Sequence, residues 1–443
     1  MKPLSHYVTS SRPQVSTRIV LKGAADAGGK AVTLVITAIA ARTLVSDAFG
    51  VLALAMGTGW LLGVATDAGL SMYLARETAR DRSRARALLS EVMVVRAGLA
   101  YTAAALVTLF VGQLVPPHWK LQFVLVVLAQ LTSAVLDTVS HFFRGLERSD
   151  LESAIHLSQR ALTLALSLIV LWWWPRLDYL GAAMLLPVVL ALVVAMAIAW
   201  RMLEPGTRDP GSEVRGSRIP DPGSRSLTFA QFARDVLPLG LGVLLSALYF
   251  RIDIYFIGRW QGLEAVGGYN AVFRLVEAAR LLPAAVMAVT FPLLVKTTTT
   301  GLVRRIGAWL TLAGTALALV SVVGAQVIVT TIYGVPYGYT APAFAVLAVA
   351  LPLFFLNYAL THQVIGWDGQ RAYLLIAVAA LAANVAANLL LVPARGIVGA
   401  AIATVVTELV VTAGCVIALR MQMKSAGRRS TVVALGRAGH AAV

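Results

Sequence analysis

The feature that most limits what this chain can become is a series of long apolar runs, with charge confined largely to the intervals between them. The runs lie near residues 18–42, 49–75, 87–114, 120–143, 151–174 and 179–200. After a polar gap come 235–258, 265–294, 305–332, 341–366, 372–392 and 397–420. A helix needs about 20 mainly apolar residues to cross a bilayer, so each run is long enough for one crossing. The expected fold class is an all-α polytopic membrane protein with twelve transmembrane helices. Composition points the same way: 58% of the 443 residues are hydrophobic and 13% charged, against roughly 45–50% and about 25% in soluble domains. A soluble globular fold is excluded, and the single cysteine, Cys415, excludes a disulfide within the chain.

A net charge of +16 would suit nucleic acid, but the basic residues are sorted by side, as membrane insertion requires. Of 37 Lys and Arg residues, 26 fall at one set of span ends. Only Arg42, Lys120, Arg176, Arg259 and Arg395 fall at the other. Both termini are therefore expected in the cytoplasm. The segment from Glu204 to Phe229, rich in Pro, Gly, Ser and Arg, reads as a flexible linker. The expected organisation is a six-helix lobe over 1–201, a linker over 202–228, a second six-helix lobe over 229–421 and a basic cytoplasmic tail over 422–443. Trp172, Trp173 and Trp174, with Tyr333, Tyr337 and Tyr339, fall where an outer aromatic belt is expected.

The halves also repeat. Arg42, Asp47, Ala48 and Gly50 in the first hairpin recur 217 residues later as Arg259, Glu264, Ala265 and Gly267. Six spans per half is an even number, which predicts an internal parallel repeat with both halves in the same orientation, and alternating access as the motion.

Charges inside hydrocarbon are expensive and are functional candidates by default. Lys22, Asp26, Lys30, Thr33 and Thr37 share one face of the first span, as do Gln130, Ser133, Asp137, His141 and Arg144 in the fourth. Two polar faces favour a wet lumen. Asp26 and Lys30 are also spaced for a local ion pair. Further embedded charges are Asp67, Arg96, Arg160, Arg251, Asp253, Arg274, Glu277, Arg280 and Glu408. Arg96, Arg160 and Arg280 lie near enough to the span ends to be structural. Arg251 and Arg274 are placed to meet an anion, with Asp253 or Glu277 as alternative internal partners. Asn384 and Asn388 share a face suited to interhelical hydrogen bonding. The segment Gly23 to Ala31 departs from a phosphate loop in spacing and in its final residue. No hydrolase elbow or metal-ligating histidine pair is present in the sequence.

The chain resembles the polysaccharide flippases of the multidrug/oligosaccharidyl-lipid/polysaccharide exporter superfamily. The likeness is carried by Ala41 to Gly50, Asp67 to Leu70, Ala75 to Glu77, Arg251 to Gly258, Gly268 to Ala271, and Asn384 to Asn388 leading to Pro393 to Ala401. It implies a non-enzymatic carrier in a prokaryotic cytoplasmic membrane, moving an undecaprenyl-diphosphate-linked oligosaccharide to the outer leaflet for surface polysaccharide. Lipid II flippases of the same superfamily have two further spans. Under this resemblance Lys30, Arg96, Arg251, Arg274 and Arg280 are the substrate-binding candidates. Asp26, Asp67, Asp137, Asp253 and Glu408 are the coupling-ion candidates. The expected partners are the lipid-linked oligosaccharide, membrane lipid and the polymerase or glycosyltransferases of the pathway, with no nucleic acid, metal or cofactor and a monomeric chain. A multidrug exporter is the alternative, although its cationic cargo calls for an acidic cavity. A polyprenyl-sugar glycosyltransferase or polymerase would need a larger outer loop.

Overall fold

The computed structural model describes residues 28–29, 31–203, 229–296 and 301–440, and among these every regular element is helical. The start of the first span and the expected linker, apart from Met202 and Leu203, lie outside the described residues. By contact the chain divides into two compact units, Met1–Leu237 and Pro238–Val443. The first holds α1 (Ala31–Thr43), α2 (Ser46–Asp67), α3 (Leu70–Arg80), α4 (Ala85–Val111), α5 (Lys120–Gly145), α6 (Ser149–Trp173) and α7 (Leu177–Met202). The second begins within α8 (Phe229–Arg251). It continues with α9 (Asp253–Trp260), α10 (Gly262–Ala279), α11 (Leu281–Lys296), α12 (Gly301–Val323), α13 (Ala325–Tyr333), α14 (Ala341–Val349), α15 (Leu351–Gly366) and α16 (Gln370–His440).

Twelve spans account for these helices. Nine described segments are long and apolar enough to cross a membrane, and one of them, the 55-residue apolar part of α16, is enough for two crossings; the shorter apolar α1 and the broken pair α10 and α11 supply the other two. The arms of α16 do run antiparallel. Gly396 leaves the helical region at φ 55, and a Cβ on Gly399 would sit 2.2 Å from the Leu391 carbonyl oxygen. Further along the arms, Asn384 donates to Thr407 at 3.0 Å. The turn expected at Pro393 to Gly396 is thus a sharp reversal at a glycine. The parallel repeat is visible in chain order: α2, α4, α5 and α6 start at 46, 85, 120 and 149, and their counterparts α10, α12, α14 and α16 at 262, 301, 341 and 370. Four helix starts therefore recur in the same order at separations of 216, 216, 221 and 221 residues.

Several spans expected to be continuous are broken. The second span stops at Ala68 and Gly69, both left-handed, and restarts as α3. The new helix start exposes backbone donors, and the Asp67 carboxylate takes one of them, Gly69 N at 3.3 Å. The eighth span breaks at Arg280 ahead of Pro283, and the tenth at Ala350 ahead of Pro352. In each case a proline within the next turn can neither donate to the preceding turn nor avoid its carbonyl.

Close helix contact rests on small residues, since lipid supplies no hydrophobic drive between helices. In the first unit Gly59 and Gly63 of α2 lie against Gln130 and Ala134 of α5, where added Cβ atoms would come within 2.5 and 2.9 Å. Below this contact, Leu74, Leu89, Leu136, Phe142, Phe143 and Val188 form a core. In the second unit Tyr269, Phe273 and Phe355 are fully buried. The aromatic-belt expectation needs one correction. Trp172, Trp173, Trp174 and Tyr339 are exposed, but Tyr333, at the end of α13, and Tyr337, in the turn of 3-10 helix at Val335–Thr340, are buried.

Candidate functional site

In the second unit, three elements bring together Arg251 (the end of α8), Asn270, Arg274 and Glu277 (one face of α10) and Tyr333 (the end of α13). Residues 270, 274 and 277 share that face because they are four and three apart. Arg251 donates to Glu277 Oε1 at 2.7 Å and to Asn270 Oδ1 at 3.2 Å. Arg274 donates to the other carboxylate oxygen, Oε2, at 2.7 Å. One carboxylate thus serves two guanidinium groups, leaving an excess positive charge in a nearly dry setting: the side chains of Arg251, Arg274 and Glu277 are 3%, 14% and 22% exposed. Arg251 also lies 4.7 Å from the Phe273 ring centroid, a cation–π contact. Among the described residues, three buried donors of the cluster have no acceptor: Arg274 Nε, Asn270 Nδ2 and the Tyr333 hydroxyl. Buried polar groups are ordinarily satisfied, so a cationic cluster with spare donors is chemically suited to an oxyanion.

The first unit treats its buried arginine differently. Arg96 is 1% exposed and donates to the Gly63 carbonyl oxygen at 2.8 Å, to Thr138 Oγ1 at 3.3 Å and to Thr66 Oγ1. Asp67 lies 3.9 Å from it and accepts from Ser71, which in turn meets Thr138 at 3.1 Å. All three nitrogens of this guanidinium have acceptors. The polar face of α5 is present as well. From Gln130 to Arg144 the helix is covered except at Gln130, Ser133, Ala134, Asp137, His141 and Arg144. Asp137 is 58% exposed at its side chain, 3.5 Å from His156 Nε2 on α6. His156 also meets Ser140 at 2.7 Å, and Arg144 forms a two-pronged pair with Glu152.

The remaining candidates are dispersed. Asp26 and Lys30, with Lys22, lie outside the described residues. Thr33 and Thr37 return their hydroxyls to carbonyls of their own helix. Asp253 accepts from Tyr269 at 2.5 Å and from the Ile254 amide, so Arg251 takes Glu277, not Asp253, as its partner. Arg280 packs over Phe250, Phe354 and Tyr358, with its guanidinium carbon 4.1, 4.9 and 6.0 Å from the ring centroids. Glu408 is buried against Asn357, which donates to it at 2.7 Å. Sequence reasoning missed Asn270, His156 and the inward role of Tyr333. Only Asn270 carried a signal, its four-residue spacing from Arg274.

Residues 23–298 match the sequence profile of the polysaccharide biosynthesis protein family. No curated protein matches the chain by sequence. Solved structures share its fold. An inward-facing multidrug resistance MATE family transporter of the MOP superfamily has 16% identity and a TM-score of 0.62, covering 93% of this chain and 96% of its own. The lipid II flippase MurJ, in an inward closed conformation, has 10% identity and a TM-score of 0.66 over 93% and 91%. A MOP superfamily transporter from Pyrococcus furiosus has 16% identity and a TM-score of 0.57 over 92% and 96%.

Proposed function

The chain belongs to the polysaccharide biosynthesis protein family, and from that premise we propose that it is a flippase for an undecaprenyl-diphosphate-linked oligosaccharide. It works by alternating access in a prokaryotic cytoplasmic membrane, with its arginine-rich face in the cytoplasm, and carries its cargo to the outer leaflet without chemical change. The fold is shared with a multidrug transporter and with a lipid II flippase alike, so the choice of cargo rests on the site. The observation that carries it is the Arg251, Arg274 and Glu277 cluster, cationic and with three donors to spare. A diphosphate is a multidentate anion, and the planar guanidinium fork suits it. An exporter of cationic drugs would gain nothing from this cluster.

Outward movement of about two negative charges would be favoured by roughly 4–5 kcal/mol per 100 mV of inside-negative potential. Asp67, Asp137, Asp253 and Glu408 remain the described candidates for an ion-coupled step. Asp137 is the one that stands open on a polar face beside a histidine.

Lipid mass spectrometry of a deletion strain tests the reading. Accumulation of a lipid-linked oligosaccharide, with loss of surface polymer, is the expected result and names the sugar. An unchanged lipid pool with new sensitivity to cationic dyes would replace it with drug export.

A further inference from the structure

Resting on that reading of the site, we infer that Glu277 is an internal stand-in for the cargo's phosphate: it neutralises Arg251 and Arg274 while the site is empty and is displaced when the anionic head arrives. Two nearly dry guanidinium groups cannot be left without a counter-charge each time a cargo departs, because an uncompensated buried charge is strongly destabilising. The structure shows what fills the interval, since each oxygen of Glu277 accepts one bond from one arginine at 2.7 Å.

The fit is incomplete in a way that points to a larger anion. A carboxylate brings two oxygens, and both are engaged by one arginine each. Arg274 Nε, Asn270 Nδ2 and the Tyr333 hydroxyl still have no acceptor. A phosphate group presents three oxygens and a diphosphate more, so cargo can satisfy donors that Glu277 leaves idle. Glu277 is also the most exposed of the three charged side chains, at 22% against 3% and 14%. It can therefore turn toward water when displaced, whereas Arg251 is anchored by Asn270 and by Phe273. The consequence is a deliberately weakened grip. Glu277 competes with cargo for the same donors, which lowers affinity and speeds release, as a carrier requires.

The test is a titration of purified protein in detergent with inorganic pyrophosphate, at fixed salt, comparing the wild type with Glu277→Gln, Glu277→Asp and Arg251→Ala. Glu277→Gln keeps the shape and removes the competing charge, so pyrophosphate should bind about tenfold tighter and dissociate more slowly. Glu277→Asp draws the carboxylate back by one methylene and should fall between the two, which covers the case in which the glutamine variant does not fold. Arg251→Ala should abolish binding. Equal or weaker binding to the Glu277 variants, with binding still lost in Arg251→Ala, would overturn the stand-in role and keep the site. Unchanged binding in Arg251→Ala would overturn the reading of the site itself.

Discussion

Arg96 in the first lobe and the Arg251 and Arg274 pair in the second are all embedded arginines, yet their surroundings differ in kind. Arg96 has an acceptor for every nitrogen, drawn from α2 and α5, with Asp67 nearby. Arg251 and Arg274 divide one carboxylate, and the cluster around them keeps three buried donors unused. With every nitrogen of its guanidinium already bonded to the protein, Arg96 holds α2, α4 and α5 together. The second-lobe pair is held by its shared carboxylate but less completely, with donors left over. Under the proposed function, the same side chain in hydrocarbon is a fastener in one lobe and a receptor in the other.

The largest effect that sharpens this contrast is on folding. Arg96→Ala should cost about 3–5 kcal/mol, the range for breaking a buried charged network, and lower the melting temperature by on the order of 10 °C. Arg274→Ala, which leaves Glu277 its bond from Arg251, should cost less, about 1.5–3 kcal/mol. Equal melting losses for the two variants would erase the distinction.

Next in size is Gly63→Leu. Its Cβ would meet Ala134 at 2.9 Å, and overpacking of this kind costs about 1–3 kcal/mol. It also moves the carbonyl that Arg96 uses. Pyrophosphate affinity measured on the surviving folded fraction should be unchanged, because the second-lobe cluster is untouched.

The smallest effect lies outside the bundle. Asp81, between α3 and α4, accepts from the Ser83 amide at 2.9 Å and from its hydroxyl at 2.6 Å. These bonds hold its carboxyl below its ordinary value of 3.8. A depressed carboxylate stabilises the fold above its unfolded pKa and loses that contribution as pH falls through the folded one. Asp81→Ala should therefore melt slightly lower than the wild type at pH 7, and the gap should close below pH 3.8. A gap that persists in acid would mean that Asp81 acts by packing.

Much of this was legible in the sequence because a membrane enforces simple rules. Run length reports spans, and helical periodicity reports faces, so the polar stripe from Gln130 to Arg144 could be read without coordinates. The breaks at Ala68, Arg280 and Ala350 were not, since each lies inside a run long enough to read as one span; Pro283 and Pro352 were the available cues to the last two. Arg251, Arg274 and Arg96 could all be named as embedded cations. What separates them is tertiary. Arg96 is satisfied by residues 30 to 42 positions away, and Arg251 is paired with a glutamate 26 positions away. Spacing along one helix cannot register the partners of Arg96; Glu277 could be named beside Arg251 and Arg274 but not chosen over Asp253, and Tyr333 was read as interfacial because its place at the end of a span does not show which face is covered.

Transport in reconstituted vesicles measures directly whether the second-lobe arginines carry the diphosphate. A fluorescent polyprenyl-diphosphate glycolipid should cross under an inside-negative potential with the wild type. With Arg251→Ala or Arg274→Ala, folded and inserted normally, the rate should fall about 10- to 150-fold, as expected for the loss of a charge-assisted contact of about 1.5–3 kcal/mol. Wild-type rates from both variants and from their double combination would contradict that role.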